Sequence, residues 1–178
     1  MQFQYFNYRV LFLIIVLLGC QNKHLSKIEY FSNGKIKKII SSTNKNNEKV
    51  ELKFYENGNL KDISHFVNDS LNGEQLNFYE NGRLASKFLI EDSLPNGTAY
   101  WFYKSGSLRS SRFFLNGEEN DVGFDYWDNK FIINKALLRF NRGRIYYKLN
   151  FDSGGRPTTQ EGDSLHSDVL SPDAVKGK

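Results

Sequence analysis

An all-β fold is predicted: an elongated antiparallel meander of stacked β-hairpins with a 24-residue repeat, preceded by a signal peptide and followed by a disordered tail. Three observations predict it. FYENGNL at residues 54–60 returns as FYENGRL at residues 78–84, 24 positions later. Aromatic residues make up 15% of the chain, 15 of them Phe and 10 Tyr, which suits the pleated, half-buried surface of a strand. The 14 glycines and only three prolines point to many tight turns. At 178 residues the chain is one ordinary domain in length.

The N-terminal segment, residues 1–19, is set apart by its hydropathy. VLFLIIVLL at residues 10–18 follows Arg9, the one charge in the first 22 positions. As a helix it spans about 14 Å, short of the roughly 30 Å of a hydrocarbon core but right for a secretory signal peptide. It ends in Leu17-Leu18-Gly19-Cys20, which resembles the bacterial lipobox, with cleavage between Gly19 and Cys20. That resemblance implies a diacylglycerol thioether and an acylated amine on Cys20, and hence a palmitate-bearing, membrane-anchored protein. Several acyl chains at about 0.8 kcal/mol per buried methylene hold where one chain binds only marginally. Cys20 is the one cysteine, so no intramolecular disulfide forms.

Residues 20–27 read as a short tether. Gln21 follows the cysteine where an Asp would retain an enteric lipoprotein at the inner membrane, so the resemblance favours the outer membrane of a Gram-negative envelope, with the leaflet open.

Residues 28–156 carry the repeat. Turn glycines stand at Gly34, Gly58, Gly82 and Gly106, and the same 24-residue ruler reaches Lys130 and Gly154 without insertion. One residue before the marker come Asn33, Asn57, Asn81 and Ser105; three before come Phe31, Tyr55, Tyr79, Tyr103 and Trp127. Four before are Tyr30, Phe54, Phe78, Phe102 and Tyr126, and two after are Ile36, Leu60, Leu84, Leu108 and Ile132. The sixth unit puts Asn150 and Arg156 in those apolar columns, as a terminal cap would.

Asn-Gly between apolar runs predicts a two-residue type I′ turn, with positive φ at both central residues. In that register Tyr55 opposes Leu60, Tyr79 opposes Leu84 and Tyr103 opposes Leu108, while Phe54, Phe78 and Phe102 line the other face. A second set of turns is expected midway, at Asn72-Gly73, Asn96-Gly97 and Asn120-Asp121. The whole makes about a dozen strands. The ladder of Tyr55, Tyr79, Tyr103 and Trp127 serves either packing or recognition, since Tyr is rigid and amphipathic.

The YENGxL motif at this spacing resembles the bacterial variant of the MORN repeat over roughly residues 28–154. The resemblance implies a β-hairpin scaffold associated with membranes or protein assembly, often on lipoproteins and in some cases named antitoxin-like. It implies no catalytic residue.

SSTNKNN at residues 41–47 marks the first unit as a frayed edge, protected by Lys35, Lys37 and Lys38. Residues 157–178 have the polar, sparsely apolar composition of a disordered tail.

Chemistry-bearing constellations are missing from the sequence. His24, His65 and His166 are too scattered to share a metal, so no metal site and no cofactor is expected. His65 falls in a column with Leu89 and Phe113, as a strand residue does. The formal charge of +4 is spread along the chain, which reads as a solvated surface or a weak attraction to anionic polymers. No basic stripe or phosphate loop supports nucleic acid as a partner. The reading is therefore a non-catalytic envelope lipoprotein that scaffolds a protein or glycan partner. An antitoxin-like protein that neutralises a toxin is the alternative.

Overall fold

The computed structural model describes residues 23–43, 47–128 and 134–162. Cys20, Gly19, Lys130 and the last sixteen positions lie outside them. Among the described residues every regular element is a strand. They are β1 (Lys23–Tyr30), β2 (Ile36–Thr43), β3 (Glu48–Phe54), β4 (Leu60–Val67), β5 (Ser70–Leu71), β6 (Gly73–Phe78) and β7 (Leu84–Glu91). There follow β8 (Leu94–Pro95), β9 (Gly97–Phe102), β10 (Leu108–Leu115), β11 (Glu118–Tyr126), β12 (Asn134–Asn141), β13 (Arg144–Phe151) and β14 (Pro157–Gly162). All belong to one antiparallel sheet in sequence order, with the two-residue β5 and β8 paired to the ends of β4 and β7.

Two kinds of turn alternate along the two long edges of this sheet. On one edge, Tyr55 N–H donates to the Asn59 carbonyl at 2.8 Å and Gly58 N–H to the Tyr55 carbonyl at 2.9 Å. The same pair of bonds recurs at Phe31, Tyr79, Tyr103 and Asp152. This is a wide hairpin: a type I turn closed by a glycine with positive φ, as at Gly58 (90°) and Gly82 (82°). The asparagine before each glycine stays at negative φ, so the expected I′ geometry is wrong here. Its role is different. The Asn57 side-chain oxygen accepts the Asn59 N–H at 2.9 Å, and Asn33 and Asn81 do the same for Lys35 and Arg83.

The extra loop residue moves the register by one. Leu60, Leu84 and Leu108 face Phe54, Phe78 and Phe102, not the tyrosines. Phe and Leu therefore share one face with Leu52, and the tyrosine is left in the loop.

True two-residue turns, with positive φ at both positions, occupy the opposite edge: Asn68-Asp69, Asp92-Ser93, Asn116-Gly117 and Arg142-Gly143. The expected second turns at Asn72-Gly73 and Asn96-Gly97 are instead kinks between β5 and β6 and between β8 and β9. Asn120-Asp121 lies inside β11, with Asp121 at φ 58°. Nor does the ruler run unbroken to the end. In the last wide turn the glycine with positive φ is Gly155 (79°), one residue past the expected Gly154.

Side chains alternate between faces along each strand, so paired residues build columns across the sheet. One column runs Ile28, Ile39, Leu52, Ile63, Leu76 and continues through Lys87, Tyr100, Ser111, Phe124, Leu137 and Leu149. Its first half holds the main core, where Ile39, Leu52, Phe54 and Ile63 are buried against Leu60, Leu76 and Phe78. The adjoining column is polar: Lys38, Lys53, Asp62, Asn77, Ser86. Its buried Asp62 is held by Lys53 at 3.3 Å and by the Ser64 hydroxyl.

Two boundaries differ from the sequence reading. β1 begins at Lys23, inside the expected tether, and β2 runs through Ser41, which is buried, rather than fraying there. At the other end, the first six residues of the expected tail form β14 on β13.

Candidate functional site

The aromatic ladder ties each repeat to the next. Tyr55 Oη donates to the Phe78 carbonyl at 2.9 Å, Tyr79 to Phe102 at 2.6 Å and Tyr103 to Tyr126 at 3.0 Å. In the fifth unit Trp127 replaces tyrosine and its indole N–H donates to the Asp152 carbonyl at 3.0 Å. All four side chains are half-buried. Each hydroxyl is thus committed to a backbone acceptor across a repeat boundary.

The wide-turn edge is stapled in the same direction. Asn57 and Asn59 both donate to the Glu80 carbonyl, at 2.9 and 2.8 Å, and Asn81 donates to the Lys104 carbonyl at 3.0 Å. Arg83 reaches the carbonyls of Lys104 and Ser105. At the next boundary the chemistry changes: the hydroxyls of Ser105 and Ser107 both donate to Asp128 at 2.5 Å. Those two bonds, Ser105 first, hold the Asp128 carboxyl below its ordinary value.

The turn glycines Gly34, Gly58, Gly82 and Gly106 are where the sequence put them, all with positive φ. Gly154 is not one of that set. His65 is a half-buried strand residue whose Nδ1 lies 2.6 Å from the Glu74 carbonyl. It borders a shallow groove of about 340 Å³ shared with Glu48, Val50, Phe66 and Glu74. Among the described residues no group of three or more His, Cys, Asp or Glu could hold a metal ion.

The surface that sequence reasoning missed lies toward the two-residue turns. Leu89 (44% exposed), Leu94 (48%), Phe113 (36%) and Leu115 (47%) stand out of β7, β8 and β10. Gly97 is beside Leu89, and Gly117 beside Leu94. Thr98 pairs with Phe113, so the strand that follows Leu94 bridges Leu89 to Phe113. Glu91 and Glu118 pair with Leu94 and Leu115 at the rim. Leu89 and Phe113 are one repeat apart, so the sequence shows their common column but not its exposure.

Three consecutive segments, residues 47–68, 71–92 and 95–116, match the MORN repeat variant family. Residues 47–116 carry three MORN-variant repeats. Each matched unit contains strand, wide turn and strand and ends at a two-residue turn, at Asn68, Asp92 or Asn116, so the MORN units abut at the edge that carries the exposed leucines. No curated protein matches the chain.

Among solved structures it is similar to S. aureus TarM, as a mutant in complex with fondaparinux, alpha-GlcNAc-glycerol and UDP. That likeness has a TM-score of 0.38 and 12% identity over 66% of this chain. A second TarM crystal structure gives a TM-score of 0.37 and 13% identity over 65%. The chain spans about a quarter of those proteins, 24% in each case, and at such TM-scores neither bears on activity.

Proposed function

We propose that this protein is a lipid-anchored envelope scaffold, without catalysis, whose MORN-variant sheet binds a protein or glycan partner through the strip of Leu89, Leu94, Phe113 and Leu115. The observation that supports it most directly is that strip. Four large apolar side chains stand exposed on repeats whose tyrosine hydroxyls are spent on mutual stapling. A contiguous apolar patch with a polar rim is the usual form of an interaction surface. The tyrosine ladder, the other candidate recognition row, uses its hydroxyls internally and is the weaker surface.

The anchor rests on Leu17-Leu18-Gly19-Cys20. Metabolic labelling with an alkyne fatty acid, on wild type and Cys20→Ala, tests it. Label on wild type alone, with the variant released from membranes, is expected; an unlabelled soluble wild type overturns the anchor. A photo-crosslinker at Phe113 tests the strip. It should give one adduct that Leu89→Glu abolishes without lowering Tm. An adduct indifferent to Leu89→Glu would remove the strip from the site.

A further inference from the structure

The last described strand stops short of the edge it pairs with. β14 runs antiparallel to β13, and its final residue, Gly162, stands opposite Tyr147. Past that point β13 continues through Tyr146 and Ile145 to Arg144, and no described strand pairs with that side of it. Ile145 is 53% exposed and Tyr146 43%. Tyr147 is buried, yet its hydroxyl has no hydrogen-bond partner among the described residues.

Three arginines lie near this open end, with Glu119 beside the turn and Glu161 one residue before the gap. Arg142 and Arg144 flank the turn into β13, and Arg139 pairs with Tyr147 from β12. Among the described residues none of the three has a carboxylate partner. The chain that leaves Gly162 reads DSLHSDVL, with Asp163 and Asp168 as its formal charges and Leu165, Val169 and Leu170 as its apolar residues. At about 3.3 Å per residue, three or four residues reach from Tyr147 to the end of β13. Gly162 still hugs β13: a Cβ there would overlap the Tyr146 carbonyl.

We propose that residues 163–170 dock on this open end of β13, covering Ile145 and Tyr146 and setting the two aspartates among Arg139, Arg142 and Arg144. The occupant is this chain's own segment because it starts within one residue pair of the gap and carries the complementary charge. The terminal repeat is thereby capped, and the uncovered end of β13 is closed to strands of other molecules, a standard hazard of an open edge.

Hydrogen–deuterium exchange tests this on the full chain, on a chain ending at Gly162, on Arg144→Asp, and on Arg144→Asp combined with Asp163→Arg and Asp168→Arg. Ending the chain should speed exchange in residues 143–148 by roughly ten-fold while β7 stays unchanged, since local opening is independent of the distant core. Arg144→Asp should do the same in part, and the charge-swapped combination should restore protection. Equal exchange in all four proteins overturns the proposal. Protection that grows with protein concentration also overturns it, by assigning the edge to the segment of a second copy.

Discussion

The hydroxyl of Tyr79 donates to the backbone carbonyl of Phe102 at 2.6 Å, across the boundary between two repeats. A side chain of one unit thus closes on the main chain of the next, and Tyr55 and Tyr103 do the same at their own boundaries.

Tyr79→Phe keeps the ring and removes only this bond. It should cost about 1 kcal/mol, and more if the half-buried Phe102 carbonyl is left unsatisfied. In a chain of this size that lowers Tm by roughly 2–4 °C, read by thermal melting. An unchanged Tm would mean that water replaces the hydroxyl at no loss.

Gly123 lies under a crossing cation. Arg112 folds over it to donate to the Phe124 carbonyl at 2.7 Å and to Asp125 at 2.6 Å, with the Phe140 ring beside it. A Cβ at residue 123 would lie 2.6 Å from Arg112 Cδ and 2.9 Å from the Phe140 ring. Gly123→Ala should therefore destabilise by about 1–3 kcal/mol through overpacking. Combining it with Arg112→Ala should recover part of that loss, which a double-mutant cycle in urea would show.

Ser93 holds φ at +66° in a two-residue turn after Asp92 at +48°. Left-handed φ costs a residue with a Cβ roughly 1–2 kcal/mol, and Asp-Gly is a preferred pair for this turn. Ser93→Gly should raise Tm by a few degrees, less what glycine gains in unfolded-chain entropy. A fall in Tm would show that the serine makes a compensating bond.

Asp128 supplies a pH dependence. Its folded value lies below the ordinary 3.8 because Ser105 and Ser107 donate to the carboxylate. The stabilisation is therefore fully present at neutral pH. It fades as the pH falls below 3.8 and is gone under the folded value. Asp128→Asn should narrow the gap between Tm at pH 6 and at pH 3, and the same narrowing is expected from Ser105→Ala with Ser107→Ala. A gap that stays the same in both would detach the carboxylate from stability.

By itself the sequence determined the repeat, the all-β class, the turn positions of Gly34, Gly58, Gly82 and Gly106, and the face that Phe54 shares with Leu52. These follow from local rules: a period of two along a strand, and a glycine wherever φ turns positive. The register, the kind of turn at each edge and the use of the tyrosine row were decided only in the tertiary structure. One added loop residue shifts every cross-strand pair, and the chain reveals that length only through its hydrogen bonds. The acceptors of Tyr55, Tyr79 and Tyr103 are main-chain carbonyls of Phe78, Phe102 and Tyr126. Every residue has such a carbonyl, so no letter marks the partner. The exposed strip shows the same limit: Leu52 and Leu89 look alike in a strand, but Leu52 pairs with Ile39 and Ile63 and is buried, whereas Leu89 pairs with Glu74 and stands in water.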